Sequence, residues 1–239
     1  MVRLNPNSHG YCIAVQTNTG ETRWPAAVAT LIAIGLYAGL PNGILVGPRY
    51  IVPVLELIIL ATVIAENPVR MTKQTRRSRF TALLLTYLIM GTNLVSLVLL
   101  IRHLMNTHAE QGPALLLAAL QIWLTNVIVF ALAYWELDRG GPVSRHHVTR
   151  TALPRADFRF PQDEDHDTVV EVSKGSSKIS GWVANYVDYA YVSLTNSSAF
   201  SPTDTMPLSA RAKLLMGAES TMALITSVVV IAKGVGSLG

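Results

Sequence analysis

Phe80–Ile101 reads FTALLLTYLIMGTNLVSLVLLI, an apolar run that contains no charged side chain. A helix needs about 20 such residues to cross the hydrocarbon core of a bilayer, which is about 30 Å thick. Ala114–Leu137 and Leu214–Ala232 have the same character, and only Glu219 interrupts the latter run. These three segments predict membrane-spanning helices.

Two shorter apolar runs come earlier in the chain, Trp24–Leu40 and Ile51–Ala65, and the second contains Pro53 and Glu56. Half of the 239 residues are hydrophobic and only 14% are charged, a composition that is unusual for a soluble domain. We therefore predict an all-α integral membrane protein with five transmembrane helices. A short re-entrant or interfacial helix is expected before the last one.

Basic residues indicate the orientation, because loops rich in Lys and Arg resist translocation. They concentrate between the second and third apolar segments, after the fourth, and directly before the fifth, whereas the alternate loops hold only Arg49 and Arg102. This pattern predicts a cytoplasmic N-terminus. The net charge of +4 then reflects topology and affinity for the lipid bilayer rather than nucleic-acid binding.

The chain divides into four regions. They are a cytoplasmic N-terminal segment (1–23), a four-helix transmembrane region (24–137), a polar cytoplasmic loop (138–185), and a short helix with the final transmembrane helix (186–239). The first region lacks a long apolar stretch, so we expect the first span to be an uncleaved signal anchor. The loop is too polar for a core of its own and is expected to be extended. Its acidic run Asp163–Asp167 favours a solvated loop over a metal site, and no metal or cofactor is expected.

Glu56 and Glu219 are ionisable residues in the interior of predicted spans. Such groups are costly in hydrocarbon and usually face a cavity or a partner, which makes both residues functional candidates. Two structural alternatives remain: Glu56 acting as interhelical glue with Asn93, Gln121 or Asn126, and Glu219 reaching the inner interface. A role of Glu56 in an ion or proton pathway predicts that Glu56→Gln abolishes flux.

The most distinctive stretch is Asp188–Ser209, which reads DYAYVSLTNSSAFSPTDTMPLS. Apolar residues at helical spacing, from Val187 to Leu194, predict a short amphipathic helix, and Ser209 is a suitable N-cap for the final helix. The order of short helix, irregular polar segment and full span is typical of a re-entrant hairpin. The candidate pore-loop residues are Thr195, Asn196, Ser197, Ser198, Phe200, Ser201, Pro202, Thr203, Asp204 and Pro207.

The stretch from Tyr191 to Ala232 resembles the pore helix, filter and inner helix of the two-span potassium-channel module, with Asp204 and Pro207 over the acidic residue and the proline of that family. The filter glycines are missing, and Pro202 fixes a backbone angle far from filter geometry, so potassium selectivity is not expected. The channel module also inserts its pore loop from outside, whereas the basic residues place residues 138–213 inside. We give more weight to the charge distribution, which rests on more residues.

A second resemblance is to a family of small integral membrane proteins common among actinobacteria. It rests on Tyr134–Pro142, which reads YWELDRGGP, and on the Asp188–Ser209 stretch. It implies a bacterial inner (plasma) membrane location and carries over no activity. Within the first motif, Glu136, Asp138 and Arg139 form an interfacial charge cluster. This cluster is expected either to anchor the Gly-Gly-Pro turn or to dock against Asp204, Arg211 or Lys213.

Two functions remain open from the sequence. The first is an ion-channel-like protein, expected to be a homo-oligomer that passes a monovalent ion, in which Asp188–Pro207 lines or gates the path. The second is a non-transporting scaffold or accessory subunit that uses the same segment to dock a partner. An enzyme is not expected, because the sequence contains neither His-Glu-x-x-His nor Gly-x-Ser-x-Gly.

Overall fold

The structure is a computed structural model that describes residues 20–72, 75–106, 112–164, 169–198 and 204–236. It is mostly helical, as the sequence predicts, and a long helix occupies each of the five apolar segments. The helices are α1 (Trp24–Ala38), α2 (Ile51–Glu66), α3 (Arg76–Asn106), α4 (Gly112–Leu137), α5 (Pro142–His147), α6 (Val170–Ser173), α7 (Ser177–Ser180), α8 (Tyr186–Ser197) and α9 (Ala210–Gly236).

Three of these helices, α3, α4 and α9, are long and apolar enough to cross a membrane, which supports a transmembrane protein. The other two are shorter, since α1 has 15 residues and α2 has 16. At 1.5 Å per residue they are about 23 and 24 Å long, less than the hydrocarbon core of about 30 Å. Both still expose large apolar side chains, including Ile32 and Ile58.

Short-range signals in the sequence set the starts of the long helices. Pro25 lies in the first turn of α1, where its missing N–H costs nothing. Thr75 caps α3 by accepting a hydrogen bond from the Ser78 backbone N–H at 3.0 Å. Ser209 accepts one from the Ala212 N–H, also at 3.0 Å. The N-cap predicted at Ser209 is therefore confirmed.

The central helix is α4, which contacts α1, α3, α8 and α9. Its residues 127–135 are all buried, so this part of the helix meets protein on every side. By contrast, α9 exposes Leu224 and Val228 on its outer face, as α3 exposes Leu84. Apolar outer faces around a buried helix are the arrangement expected in lipid, where polar side chains turn toward the interior.

One end of the bundle, which we call the polar end, collects most of the charged residues. A β-bridge between Thr22 and Arg70 joins the start of α1 to the end of α2. The Arg79 guanidinium at the start of α3 donates to the Gly140 carbonyl after α4. Arg211 at the start of α9 donates to the Leu137 carbonyl at 3.2 Å. The basic loops identified in the sequence thus meet at one end of the bundle.

The described part of residues 138–185 folds onto the polar end, so the expectation of an extended loop is wrong there. Phe158 and Phe160 are only 1% and 3% exposed and belong to the main core. The two-residue strand β1 (Phe158–Arg159) pairs antiparallel with β2 (Met206–Pro207). The loop is polar on average, but its few aromatic side chains pack between aromatic side chains of α4 and α8. The average composition of the loop does not reveal this packing.

Candidate functional site: a buried carboxylate beside a short helix

α8 runs from the polar end into the bundle, antiparallel to α4. At its start, the rings of Tyr186 and Trp135 lie 6.0 Å apart. Further along, the Ser193 hydroxyl lies 2.7 Å from the Val127 carbonyl oxygen of α4. At its last turn, the Trp123 indole N–H donates to the Ser197 carbonyl oxygen at 3.4 Å. The partners on α4 therefore move away from the polar end as α8 proceeds.

The chain is back at the polar end shortly after α8 ends. Strand β2 pairs there with β1, and the Leu208 N–H donates to the Asp157 carbonyl at 2.7 Å. Ser209 donates to the Asp157 carboxylate at 2.5 Å. The start of α8 and the strand β2 thus lie at the same end of the bundle.

Glu219 lies beside the last turn of α8 and is completely buried. It is nine residues beyond the start of α9, which corresponds to about 14 Å along the helix axis. Its Oε2 accepts hydrogen bonds from the Tyr134 hydroxyl at 2.5 Å and from the Asn196 amide at 2.6 Å. Its Oε1 accepts one from the Ser197 hydroxyl at 3.0 Å and also contacts the Ser193 hydroxyl. Glu219 therefore lies inside the bundle, in contact with α4 and α8.

Further contacts attach this site to the three helices that surround it. The Asn196 amide also donates to the Met216 carbonyl of α9 at 3.0 Å, and Ser220 donates to the Asn196 side-chain oxygen at 2.9 Å. From α4, the Asn126 amide donates to the Glu219 carbonyl at 3.3 Å. Asn196 thereby positions α8 against α9 directly at the carboxylate.

The Glu219 carboxylate has no counter-ion among the described residues. Within 20–72, 75–106, 112–164, 169–198 and 204–236, no Lys, Arg or His forms an ion pair with it. Four polar side chains contact its two oxygens instead, which is about the number of hydrogen bonds that an ionised carboxylate accepts. The site therefore supports a negative charge by hydrogen bonding alone.

Ser193 connects this carboxylate to a second acceptor. Its hydroxyl contacts both the Val127 carbonyl oxygen and Glu219 Oε1, yet a hydroxyl has one proton to donate and a carbonyl oxygen can only accept. If Ser193 donates to Val127, the proton of the second contact must belong to a protonated Glu219. If Ser193 donates to Glu219, the carboxylate is ionised. The same contacts accommodate both states, which is the chemistry of a group that binds and releases a proton.

Of the predicted pore-loop residues, Asn196 and Ser197 lie at this carboxylate. Thr195 and Ser198 form hydrogen bonds with carbonyls of their own helix, Asp204 is exposed, and Pro207 belongs to β2. Phe200, Ser201, Pro202 and Thr203 lie outside the described residues. Sequence reasoning missed Ser193 and Tyr134, although Ser193, Asn196 and Ser197 share one helical face by spacing, which is a usable signal.

Glu56 lies elsewhere, between α2 and α3, and is 1% exposed. Its Oε1 is 3.5 Å from the Thr92 hydroxyl, which also donates to the Ile89 carbonyl at 3.0 Å. The predicted partners Gln121 and Asn126 belong to α4, whereas α2 packs mainly against α1 and α3. The structure therefore pairs Glu56 with Thr92 instead of those residues, and the buried Asn93 amide nitrogen has no hydrogen-bond partner in the described chain.

The predicted charge cluster is centred on Asp138, which is fully buried at the polar end. Its carboxylate accepts hydrogen bonds from the Tyr189 hydroxyl at 2.6 Å and from the Asp157 N–H at 2.7 Å. Arg139 lies 3.9 Å from Asp138 and 2.5 Å from Asp163. Arg139 therefore does not pair with Asp204, the acidic residue proposed for docking. Of the two basic residues proposed, Arg211 contacts the Leu137 carbonyl at the end of α4.

The backbone angles of the turn after α4 explain why glycines occur there. Arg139, Gly140 and Gly141 have φ angles of 50°, 83° and 96°, in the left-handed region that favours glycine. A Cβ on Gly140 would lie 2.9 Å from the Ser144 hydroxyl. The alternative in which the charge cluster anchors the Gly-Gly-Pro turn therefore describes this region. Glu136 is also buried and interacts electrostatically with Arg23, Arg145 and Arg79.

Glu21 is a further buried acid at the polar end that sequence reasoning missed. Its Oε1 accepts hydrogen bonds from the Trp135 indole at 2.9 Å and from the Tyr186 N–H at 2.8 Å. Burial raises the pKa of Glu21, and the Arg145 guanidinium, 3.7 Å from the carboxylate, opposes this rise. Glu21 therefore ties the start of α1 to both α4 and α8.

No family model matches the chain, and no significantly similar curated protein or solved structure was found.

Proposed function

We propose that this chain is an ion-channel-like protein of a bacterial inner membrane, in which Glu219 and the last turn of α8 form the site for a monovalent cation or a proton. The observation that carries this proposal is the fully buried Glu219 carboxylate, which has polar partners but no counter-ion in the described chain. A charge at membrane depth costs several kcal/mol, and ionisable residues retained there commonly mark ion or proton pathways. Exchange of a cation or proton at Glu219 would be part of such a pathway.

The path of α8 supports the same proposal. A short helix that enters from one end and stops beside a carboxylate ends at membrane depth, where unpaired backbone groups are tolerated only if protein or water shields them. The resemblance of this stretch to the two-span potassium-channel module agrees with that arrangement. One re-entrant segment cannot enclose a pore, so the proposal requires a homo-oligomer.

The proposal includes five spans, with α1 and α2 crossing the membrane together with α3, α4 and α9. Their exposed apolar side chains support this, because Ile32 and Ile58 would otherwise face water. Helices shorter than the hydrocarbon core are accommodated by local thinning of the bilayer. The basic polar end is then cytoplasmic, with the N-terminus inside and the C-terminus outside.

The test is ion flux in proteoliposomes, with potassium, sodium and proton flux measured separately. Glu219→Gln should lower flux by more than about tenfold, because it removes the charge while keeping the side-chain volume. The matched control is Glu66→Gln, since Glu66 is exposed at the end of α2 and should retain wild-type flux. Wild-type vesicles without flux above protein-free vesicles, or full flux in Glu219→Gln, would contradict the proposal.

The alternative is a non-transporting scaffold, and the outer face of α8 favours it. Val187, Tyr191 and Leu194 are 63%, 59% and 43% exposed on one side of this helix, which leaves an apolar surface for a partner helix. The mass of the particle in nanodiscs separates the two functions. A strict monomer without flux would support the scaffold, whereas a symmetric oligomer with Glu219-dependent flux would support the channel.

A further inference from the structure

A cavity of about 310 Å³ opens at the polar end, apart from the Glu219 site. It lies between the turn after α5 and the segment that leads into α8. Its basic lining residues are Arg139, Arg145 and Arg150, and Trp182 and Leu153 contribute apolar surface. The volume is at the lower end of the range for small-molecule sites.

The lining carries an excess of positive charge. Asp163 is its acidic residue and is already paired with Arg139 at 2.5 Å. Arg150 is exposed and has no ion-pair partner among the residues that the structure describes. A cation would therefore meet an unfavourable field beside Arg150, whereas an anion would meet a favourable one.

Arg145 adds a buried donor group to the same cavity. The residue is only 3% exposed, and its guanidinium is fixed by hydrogen bonds from Nη1 to the Trp135 and Asp138 carbonyls at 2.7 and 2.9 Å. The Tyr189 ring lies 4.9 Å from its central carbon. Its Nε and Nη2 atoms have no hydrogen-bond acceptor in the described chain, although Nη2 lies 3.7 Å from a Glu21 carboxylate oxygen. A guanidinium held in a fixed orientation, with its Nε–H free of an acceptor, suits an oxyanion.

We propose that this cavity binds a phosphate-type oxyanion through Arg139, Arg145 and Arg150, with Trp182 covering the organic part of the ligand. The Arg side chains match the geometry of phosphate oxygens, and the apolar wall suits a short carbon chain attached to the phosphate. Two sources offer this chemistry: a soluble phosphate monoester and the head group of an anionic phospholipid.

The experiment uses the full chain in phosphatidylcholine nanodiscs and two probes. In the first arm, sn-glycerol 3-phosphate is titrated by calorimetry, with glycerol as the uncharged comparison. In the second arm, phosphatidylglycerol is added to the bilayer and its retention by the purified protein is measured by native mass spectrometry. Arg150→Gln is the test variant, because Arg150 is exposed and its replacement leaves the fold intact. Arg155→Gln is the matched control, since Arg155 is also exposed but does not line the cavity.

Binding of either probe that weakens at least about tenfold in Arg150→Gln, and less than about twofold in Arg155→Gln, supports the site. A response to glycerol phosphate assigns the soluble source, and a response only to phosphatidylglycerol assigns the lipid head group. Absence of binding in both arms overturns the proposal. Equal losses in the two variants also overturn it, because they would reflect general charge rather than this cavity. None of these outcomes depends on ion flux.

Discussion

Asp138 is the residue on which the polar end depends most. Its Oδ1 accepts the N–H groups of Asp157 and Phe158 at 2.7 and 3.3 Å, and its Oδ2 accepts the Tyr189 hydroxyl at 2.6 Å. Asp138→Ala would leave three buried donors without an acceptor and Arg139 without one of its acidic neighbours. We expect the free energy of unfolding to fall by about 3–5 kcal/mol, measured by denaturation in mixed micelles.

Asp204→Ala is the matched control for this change. Asp204 is exposed, so its replacement should alter the unfolding free energy by less than about 0.5 kcal/mol. Asp138→Asn should lie between wild type and Asp138→Ala, because the amide keeps the volume and one acceptor but turns a donor toward its neighbours. Equal stability of the two alanine variants would show that Asp138 does not hold this end together.

At the scale of the element, α8 begins with a capping box. The Asn185 side-chain oxygen accepts the Val187 N–H at 2.8 Å, and the Asp188 carboxylate accepts the Asn185 N–H at 2.8 Å. Asn185→Ala should therefore lower stability by about 1 kcal/mol and speed hydrogen exchange in the first turn of α8, whereas Asn185→Ser retains a cap. Identical exchange in the two variants would contradict this role.

α8 also shows what the sequence could and could not predict. The helix itself follows from the spacing of Val187, Tyr191 and Leu194, but these side chains are exposed, while Ser193 and Ser197 are buried. In a soluble protein an apolar stripe marks the buried face, whereas lipid solvates apolar side chains and the polar stripe turns inward. The periodicity of the sequence predicts the helix, whereas the surrounding solvent determines which of its faces is buried.

The long helices could be predicted because each contains a strongly apolar run with few charges, a property that needs no partner to be recognised. The contacts of Glu219 could not, since Tyr134 lies 85 positions away in the sequence. The same holds for Glu21, whose partner Trp135 is 114 positions away. Local sequence patterns predict individual helices. Contacts between residues so far apart in the sequence depend on how α4, α8 and α9 pack, and no periodic pattern in a single sequence reveals that packing.

At the scale of the whole molecule, the start of α8 and the strand β2 lie at the same end of the bundle. Residues in these two places should therefore be accessible from the same side of the membrane. In a Cys12→Ser background, which removes the only cysteine, single cysteines at Val187 and Met206 should react with a membrane-impermeant maleimide only after cells are permeabilised. A cysteine at Tyr50, 69% exposed at the opposite end, should react in intact cells, since the proposed topology places the basic polar end inside. Reaction of Val187 and Met206 from opposite sides would mean that the α8 segment crosses the membrane. If all three positions react from the same side, α1 and α2 do not both cross the membrane, because two such spans would place Tyr50 on the outside.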